Sequence, residues 1–319
     1  MDYTETRANW NTFFSNWIRI LSYPGRIILN LGFTSYGKSV SCNFLNFMLL
    51  GIAHLRHGNR LRLILHDSPF LYDHGTLGYR YFGLIKLGSS LATRAIRSLQ
   101  IVVFSTGLRD IMTYRFSASH IHLMPFPCFS LTRNAVNAMT GATKNMVLHL
   151  GYIAPYKGVD IIPEIKKLCE NVDFLVTGNW HKIISLTREG REYFNTLSDE
   201  LSSSGVLLTG YITNTELEKL NSENRVIGIL PHVLTSGSSY TASFLIERGI
   251  PLVCSDLPEF AWMRENGAGI VTVRREPEAF AREILKIFQD SGLYESLVAK
   301  NHLYSKNNQI TRVVDVLTR

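Results

Sequence analysis

Residues 32–39 read GFTSYGKS: a glycine, four residues, then Gly-Lys-Ser. That spacing suits a phosphate group. The glycines let backbone amides close around its oxygens, the lysine reaches them as a cation, and the hydroxyl ligates magnesium. Here Gly32 and Gly37 form the turn, Lys38 and Ser39 the contacts, and the later strand LILHD offers Asp67 as a carboxylate for the metal. A second cluster lies in PHVLTSGSSYTASFLIERGIPLVCSD, residues 231–256. An apolar strand ends there at Pro231, Ser236, Gly237, Ser238, Ser239 and Thr241 follow, and a helix begins near Tyr240. Hydroxyls and free amides before a helix receive phosphate, and the same residues equally well cap their own helix. A third turn, LGYIAPYKGVD, places Lys157 and Gly158 between a strand and a helix, where a lysine meets a diphosphate as a point charge.

The elements that must hold these turns follow from apolar periodicity. Residues 6–21 carry Trp10, Phe13, Phe14, Trp17, Ile18 and Leu21 at helical spacing, an aromatic face that suits either a core or a membrane interface. RIILNL reads as a buried strand, SVSCNFLNFMLLGIAHLRHG as a helix closed by Gly58, and LRLILHD as a second strand. GLIKLGSSLATRAIRSL reads as a helix before the strands QIVVFST and HIHLMPF. The polar residues 131–145 look like a connection between domains. Beyond it come strands at MVLHLGY, VDFLVTG, GVLLTGYI, VIGILPHV, PLVCSD and GIVTV, with helical segments between most of them. Continuous apolar strands alternating with helices belong to parallel sheets covered on both faces.

The expected fold class is therefore α/β, with two Rossmann-like doubly wound domains facing a cleft. Residues 1–135 form the first, 146–300 the second, and 301–319 a C-terminal helix packing back on the first. A chain of 319 residues, 45% hydrophobic and 18% charged, has room for two such cores. Up to Lys144 there are 15 Lys and Arg against 5 Asp and Glu, and beyond it 18 against 21, so the halves carry +10 and −3 of the formal +7. The basic half suits an anionic surface or substrate, or is simply a solvated basic face. Cys42, Cys128, Cys169 and Cys254 have neither disulfide-framework nor metal-ligand spacing, so no metal site is expected and a reducing cytosol fits. The start of the chain lacks a secretory pattern, which favours a cytoplasmic location, with peripheral membrane contact through the aromatic helix. Nucleic acid is not an expected partner, since no module with base-stacking aromatics is present.

Taken in order, LGYIAPYKGVDIIPEI, VDFLVTG, VLLTGYITNTELEKL, IGILPHVLTSGSSYTASFLIERGIPLVCSDLPEF and NGAGIVTV resemble the donor-binding domain of GT-B glycosyltransferases, especially glycosyltransferase family 4. The similarity covers about residues 146–275. It implies transfer of a sugar from a UDP- or GDP-linked donor, a co-substrate needing no cofactor and generally no metal, to an acceptor that is a glycan, a lipid or a protein. It implies donor contacts from Lys157 and from Ser236, Gly237, Ser238, Ser239, Tyr240 and Thr241. The family's two glutamates, seven residues apart, are replaced by Ser236 and Phe244, and its arginine by Tyr152, which the resemblance places among the donor-binding residues. Glu247, one helical turn beyond Phe244, is the candidate to meet the donor ribose instead. More loosely, LRLILHDSP resembles the family's strand ending in His-Asp. It puts His66 beside sugar and acceptor with Asp67 orienting its ring, and leaves Gly32, Thr34, Ser35, Tyr36 and Lys38 as an acceptor-side loop.

Three functions remain open from these residues. One is a glycosyltransferase with His66, Asp67 and Lys157 as its catalytic group. The second is a P-loop NTPase or kinase built on Lys38 and Ser39. The third, motivated by the missing glutamates, is a non-catalytic sugar-nucleotide-binding protein.

Overall fold

A computed structural model describes residues 10–31, 40–66, 83, 86–88, 90–91, 97–129, 144–181, 188–235 and 237–318. The chain divides into two compact units. Unit 1 comprises Met1–Met124, the short segment Ser236–Ser238 and Val313–Arg319; unit 2 comprises Pro125–Thr235 and Ser239–Arg312.

Unit 1 opens with helix α1 (Trp10–Ser22), then β1 (Ile27–Leu31), α2 (Val40–His57) and β2 (Leu61–Leu65). The described residues 83, 86–88, 90 and 91 are helical. After them come β3 (Gln100–Val103), the short helix α3 (Thr106–Asp110), which widens into a π turn over Ile111–Arg115, and β4 (His120–Leu123). The four strands among the described residues are parallel, in the order β1-β2-β3-β4. Alternate strand residues Leu29, Leu61, Leu63, Ile101 and Val103 bury against Phe13 and Trp17 of α1 and Leu50 and Ala53 of α2. Phe13 and Trp17 of the α1 stripe thus face a core, whereas Phe14 and Ile18 are exposed. Trp17 also donates its indole N–H to Asn46 of α2 at 2.9 Å, which meets the polar requirement of a buried tryptophan.

Unit 2 runs β5 (Asn145–Leu150), α4 (Ile162–Leu168), β6 (Asp173–Thr177), α5 (Arg188–Ser203), β7 (Leu207–Gly210), α6 (Asn214–Glu223), β8 (Arg225–Leu230), α7 (Tyr240–Ile246), β9 (Leu252–Ser255), α8 (Pro258–Glu265) and β10 (Ile270–Val273). Two helices follow, α9 (Pro277–Gln289) and α10 (Ser291–Asn307). The six strands are all parallel, in the order β10-β9-β8-β5-β6-β7. Strands β8 and β9 are buried on both faces, as continuous apolar runs require.

The boundaries differ from the sequence-based ones for identifiable reasons. Residues 125–129 belong to unit 2 because their backbone is held there. The Phe126 carbonyl accepts the Tyr304 hydroxyl at 3.0 Å, the Pro127 carbonyl accepts the Ser243 hydroxyl at 2.6 Å, and Cys128 pairs with Gln309. No helix begins at 301. Asn301 lies inside α10, fully buried, its side chain donating to the Ile250 carbonyl and accepting the Gly269 amide. The last helix, α11, spans Ile310–Thr318, and its final turn is held in unit 1 by two arginines. Buried Arg62 of β2 donates to the Leu317 carbonyl, and Arg26 donates to the Thr318 carbonyl at 2.6 Å. Cations at a helix C-terminus satisfy carbonyls that have no partner within the helix.

Candidate functional site

The strand order decides where a ligand belongs. From β5 the chain moves through β6 to β7 on one side, then crosses to β8 and continues through β9 to β10 on the other. Connections leaving the carboxyl ends of β5 and β8 therefore diverge and open a crevice, the position at which open α/β sheets bind ligands. In unit 1 the order β1-β2-β3-β4 contains no such reversal among the described residues.

Two turns meet at that crevice. After β5, Gly151 adopts φ 129° and Gly158 φ 70°, backbone that only glycine takes at little cost. A side chain on Gly158 would place its Cβ 1.8 Å from the carbonyl oxygen of Pro231, the first residue after β8. The turns interlock further. The Val233 amide donates to the Tyr156 carbonyl at 3.0 Å. Arg275 donates from Nε to the Pro231 carbonyl at 3.1 Å while both oxygens of Asp160 accept from its Nη2 at 2.6 Å. Lys157, half-buried between these turns, lies 3.5 Å through Nζ from Nε2 of His232. Loss of water holds its ammonium down to about 8, with Glu259 acting in the opposite direction.

The turn before α7 is more committed to structure than its hydroxyls suggested. The Ser239 hydroxyl accepts the Ala242 amide at 3.2 Å, so that residue is the helix N-cap. Gly237 takes φ 76°. The Thr241 hydroxyl packs over Gly151, where an added Cβ would sit 3.4 Å from it. The Tyr240 ring is exposed against Phe129 and Phe244 at 5.7 and 6.0 Å. Tyr152 is exposed, edge-on to His181 at 5.8 Å. Glu247 is occupied: its carboxylate accepts the Phe129 amide. Phe244 carries the Arg248 guanidinium over its ring at 3.6 Å, and its carbonyl accepts from the same side chain.

Within unit 1, Ser238 stands 3.5 Å through its hydroxyl from Nδ1 of His66, the residue after β2. The His66 ring rests at 5.3 Å from Phe104, and burial lowers its pKa to about 4. At neutral pH it is an uncharged imidazole, able to hydrogen-bond a hydroxyl. Asp67, Ser236 and the loop holding Gly32, Thr34, Ser35, Tyr36 and Lys38 lie outside the described residues.

Three residues of the crevice were not singled out from the sequence: His149 on β5, His232 after β8 and Glu259 in the first turn of α8, each at most 3% exposed. A histidine and a glutamate immediately after apolar strands, in ILPHV and LPEF, were the available signal. Among the described residues no group of three or more His, Cys, Asp or Glu is placed to hold a metal ion.

No protein-family model matches the sequence, and no curated protein does. Solved structures do. A sucrose-phosphate synthase from Thermosynechococcus elongatus is 14% identical with a TM-score of 0.67, over 92% of this chain and 72% of that one. HepE from Anabaena, in complex with UDP and glucose, is 12% identical with a TM-score of 0.64, over 97% and 81%. The fold is GT-B. A glycosyltransferase from Rickettsia africae shares this GT-B fold at 12% identity and a TM-score of 0.59, over 96% of this chain and 92% of that one. Other GT-B structures of this group are longer, the chain spanning 57% and 53% of two of them.

Proposed function

We propose that the protein transfers a sugar from a nucleotide-diphospho-sugar to an acceptor, with the donor diphosphate bound in the crevice between β5 and β8. What carries this is Lys157, held by interlocked turns at the one strand-order reversal among the described residues. HepE, a GT-B structure solved with UDP and glucose, supports the same class of donor. In such a transfer the bond from the anomeric carbon to the diphosphate breaks as one to an acceptor oxygen forms. Negative charge then builds on the leaving diphosphate, and a preorganised cation stabilises it. His66 of unit 1, neutral and hydrogen-bond competent, is suited to hold an acceptor hydroxyl.

The direct experiment is release of UDP or GDP from their glucose, mannose and N-acetylglucosamine conjugates, with thermal stabilisation by each ligand as a binding readout. Release should disappear in the Lys157→Ala variant. No release and no stabilisation by any conjugate would sink the proposal, whereas stabilisation without transfer to any acceptor would favour the non-catalytic binder. The P-loop alternative is disfavoured by β1, which lies at the sheet edge and pairs only with β2 among the described residues. Lys38→Ala should accordingly leave nucleotide affinity within about threefold of wild type, less than about 0.7 kcal/mol.

For the acceptor side we propose contact with an anionic membrane surface. No acidic residue occurs between Glu5 and Asp67. In that stretch Phe14 and Ile18 of α1 and Met48, Ile52 and Leu55 of α2 are exposed, near Arg19, Arg56 and Arg60. Exposed apolar side chains with a basic margin fit a lipid headgroup boundary. No helix among the described residues is long and apolar enough to cross a membrane. Co-sedimentation with phosphatidylglycerol vesicles but not phosphatidylcholine vesicles, lost in Ile18→Glu with Leu55→Glu, is the expected result. Equal sedimentation with both vesicle types would contradict it.

A further inference from the structure

The crevice holds more ionisable groups than one phosphate-binding lysine needs. Around Lys157 stand His149 from β5, His181 after β6 and His232 after β8, with the Tyr156 ring 5.5 Å from Nζ. Burial pushes all three imidazoles down in pKa, and Lys157 itself presses in the same direction, so none brings a compensating negative charge. Cys254 of β9 is buried and kept protonated, and the Asp160–Arg275 pair on the neighbouring turn balances itself. The remaining group is Glu259, which is 1% exposed.

A buried carboxylate is costly unless it has a task. Capping its own helix is not sufficient reason: the Phe260 and Ala261 amides already bond to the Leu257 carbonyl, and Pro258 has no N–H. Instead, Oε2 of Glu259 accepts the Thr235 hydroxyl at 2.5 Å. Thr235 ends the turn that begins at Pro231, and His232 in that same turn reaches Lys157. Lys157 and Glu259 therefore grip one short turn from its two ends.

We propose that Glu259 is the positioning residue that keeps Lys157 cationic and fixes the 231–235 turn ready for the donor diphosphate. This rests on the assignment of the crevice as the donor site. Glu259 opposes the desolvation that holds the Lys157 ammonium at about 8. Without its carboxylate the lysine loses its proton at lower pH, and a neutral amine does not hold phosphate. The same carboxylate repels a bound diphosphate. The two effects have opposite signs, and pH separates them: where Lys157 is protonated with or without the charge, exchanging the carboxylate for an amide that still accepts the Thr235 hydroxyl does not weaken binding, and above that range it does.

The test is calorimetric titration of UDP and of GDP into the full chain from about pH 6 to about pH 9.5, a window spanning the lysine's titration. Wild type should bind progressively more weakly above about pH 8, taking up a proton as it binds. In Glu259→Gln, binding at about pH 6 should equal or exceed wild type, and the decline should begin at least about one pH unit lower, the effect of losing a nearby opposite charge. A merely structural glutamate would weaken binding by one factor at every pH. Parallel declines of that kind overturn the proposal while leaving the donor site standing. If wild type binds neither nucleotide at any pH, the donor site itself fails and this inference with it. Should the Gln variant not fold, Glu259→Asp carries the test: withdrawing the charge by one methylene must move the decline the same way by less, and an unmoved decline overturns the proposal.

Discussion

At the scale of single residues, the crevice depends on contacts that admit no substitution. Gly158 combines left-handed backbone with a carbonyl 1.8 Å from where a Cβ would stand. Gly158→Ala should therefore cost at least about 2 kcal/mol, more than backbone strain alone, because the Pro231 turn must also move. Urea denaturation checks the stability, and donor titration should show affinity falling with it; a neutral Gly158→Ala would contradict the interlock. Lys157 offers a test of sign. Its pKa in the fold, about 8, lies below the ordinary 10.5. Between those values the unfolded chain holds the proton and the folded one does not, so Lys157 makes the free protein more stable as pH rises. Donor binding falls over the same range, because it needs the ammonium. Lys157→Met should remove the rise in stability from that window, as measured by urea midpoints at several pH values.

At the scale of elements, much of the arrangement was legible because its signals are local. Apolar runs such as VIGIL and LVCS marked strands, and Lys157, Gly158 and Ser239 marked the turns that follow them. Ser239→Ala should cost about 1 kcal/mol, the usual loss for a helix N-cap, and a thermal melt checks it. What the sequence concealed is non-local. Arg62 sits in LRLIL as though it pointed to solvent, yet it is buried against a carbonyl 255 residues away. His149 and Glu259 gain their meaning only when β8 lies between β5 and β9. The GFTSYGKS loop matched a phosphate pattern in every letter. The discriminating fact, that β1 is an edge strand among the described residues, is a property of the sheet. Removal of residues 313–319 should destabilise unit 1 by about 3 kcal/mol or more. It exposes the sites of Val313 and Leu317, at about 1.5–3 kcal/mol per fully buried side chain, and leaves Arg62 without its carbonyl. Denaturation of the truncated chain with the same stability as wild type would contradict that role for α11.

At the scale of the whole molecule, the charge asymmetry has two origins. Some of the basic half serves the fold: buried Arg62 and exposed Arg26 hold the end of α11. The rest, with the exposed side chains of α1 and α2, is the face we assign to an anionic membrane. Fold, strand order and buried charge in unit 2 converge on one claim, that a nucleotide's diphosphate lies between β5 and β8 against Lys157. A crystal of the full chain soaked with UDP tests it most directly. The account predicts electron density for the diphosphate between β5 and β8, within hydrogen-bonding distance of Lys157 Nζ. Density for the phosphates around residues 32–39, with Lys157 left unliganded, would contradict it.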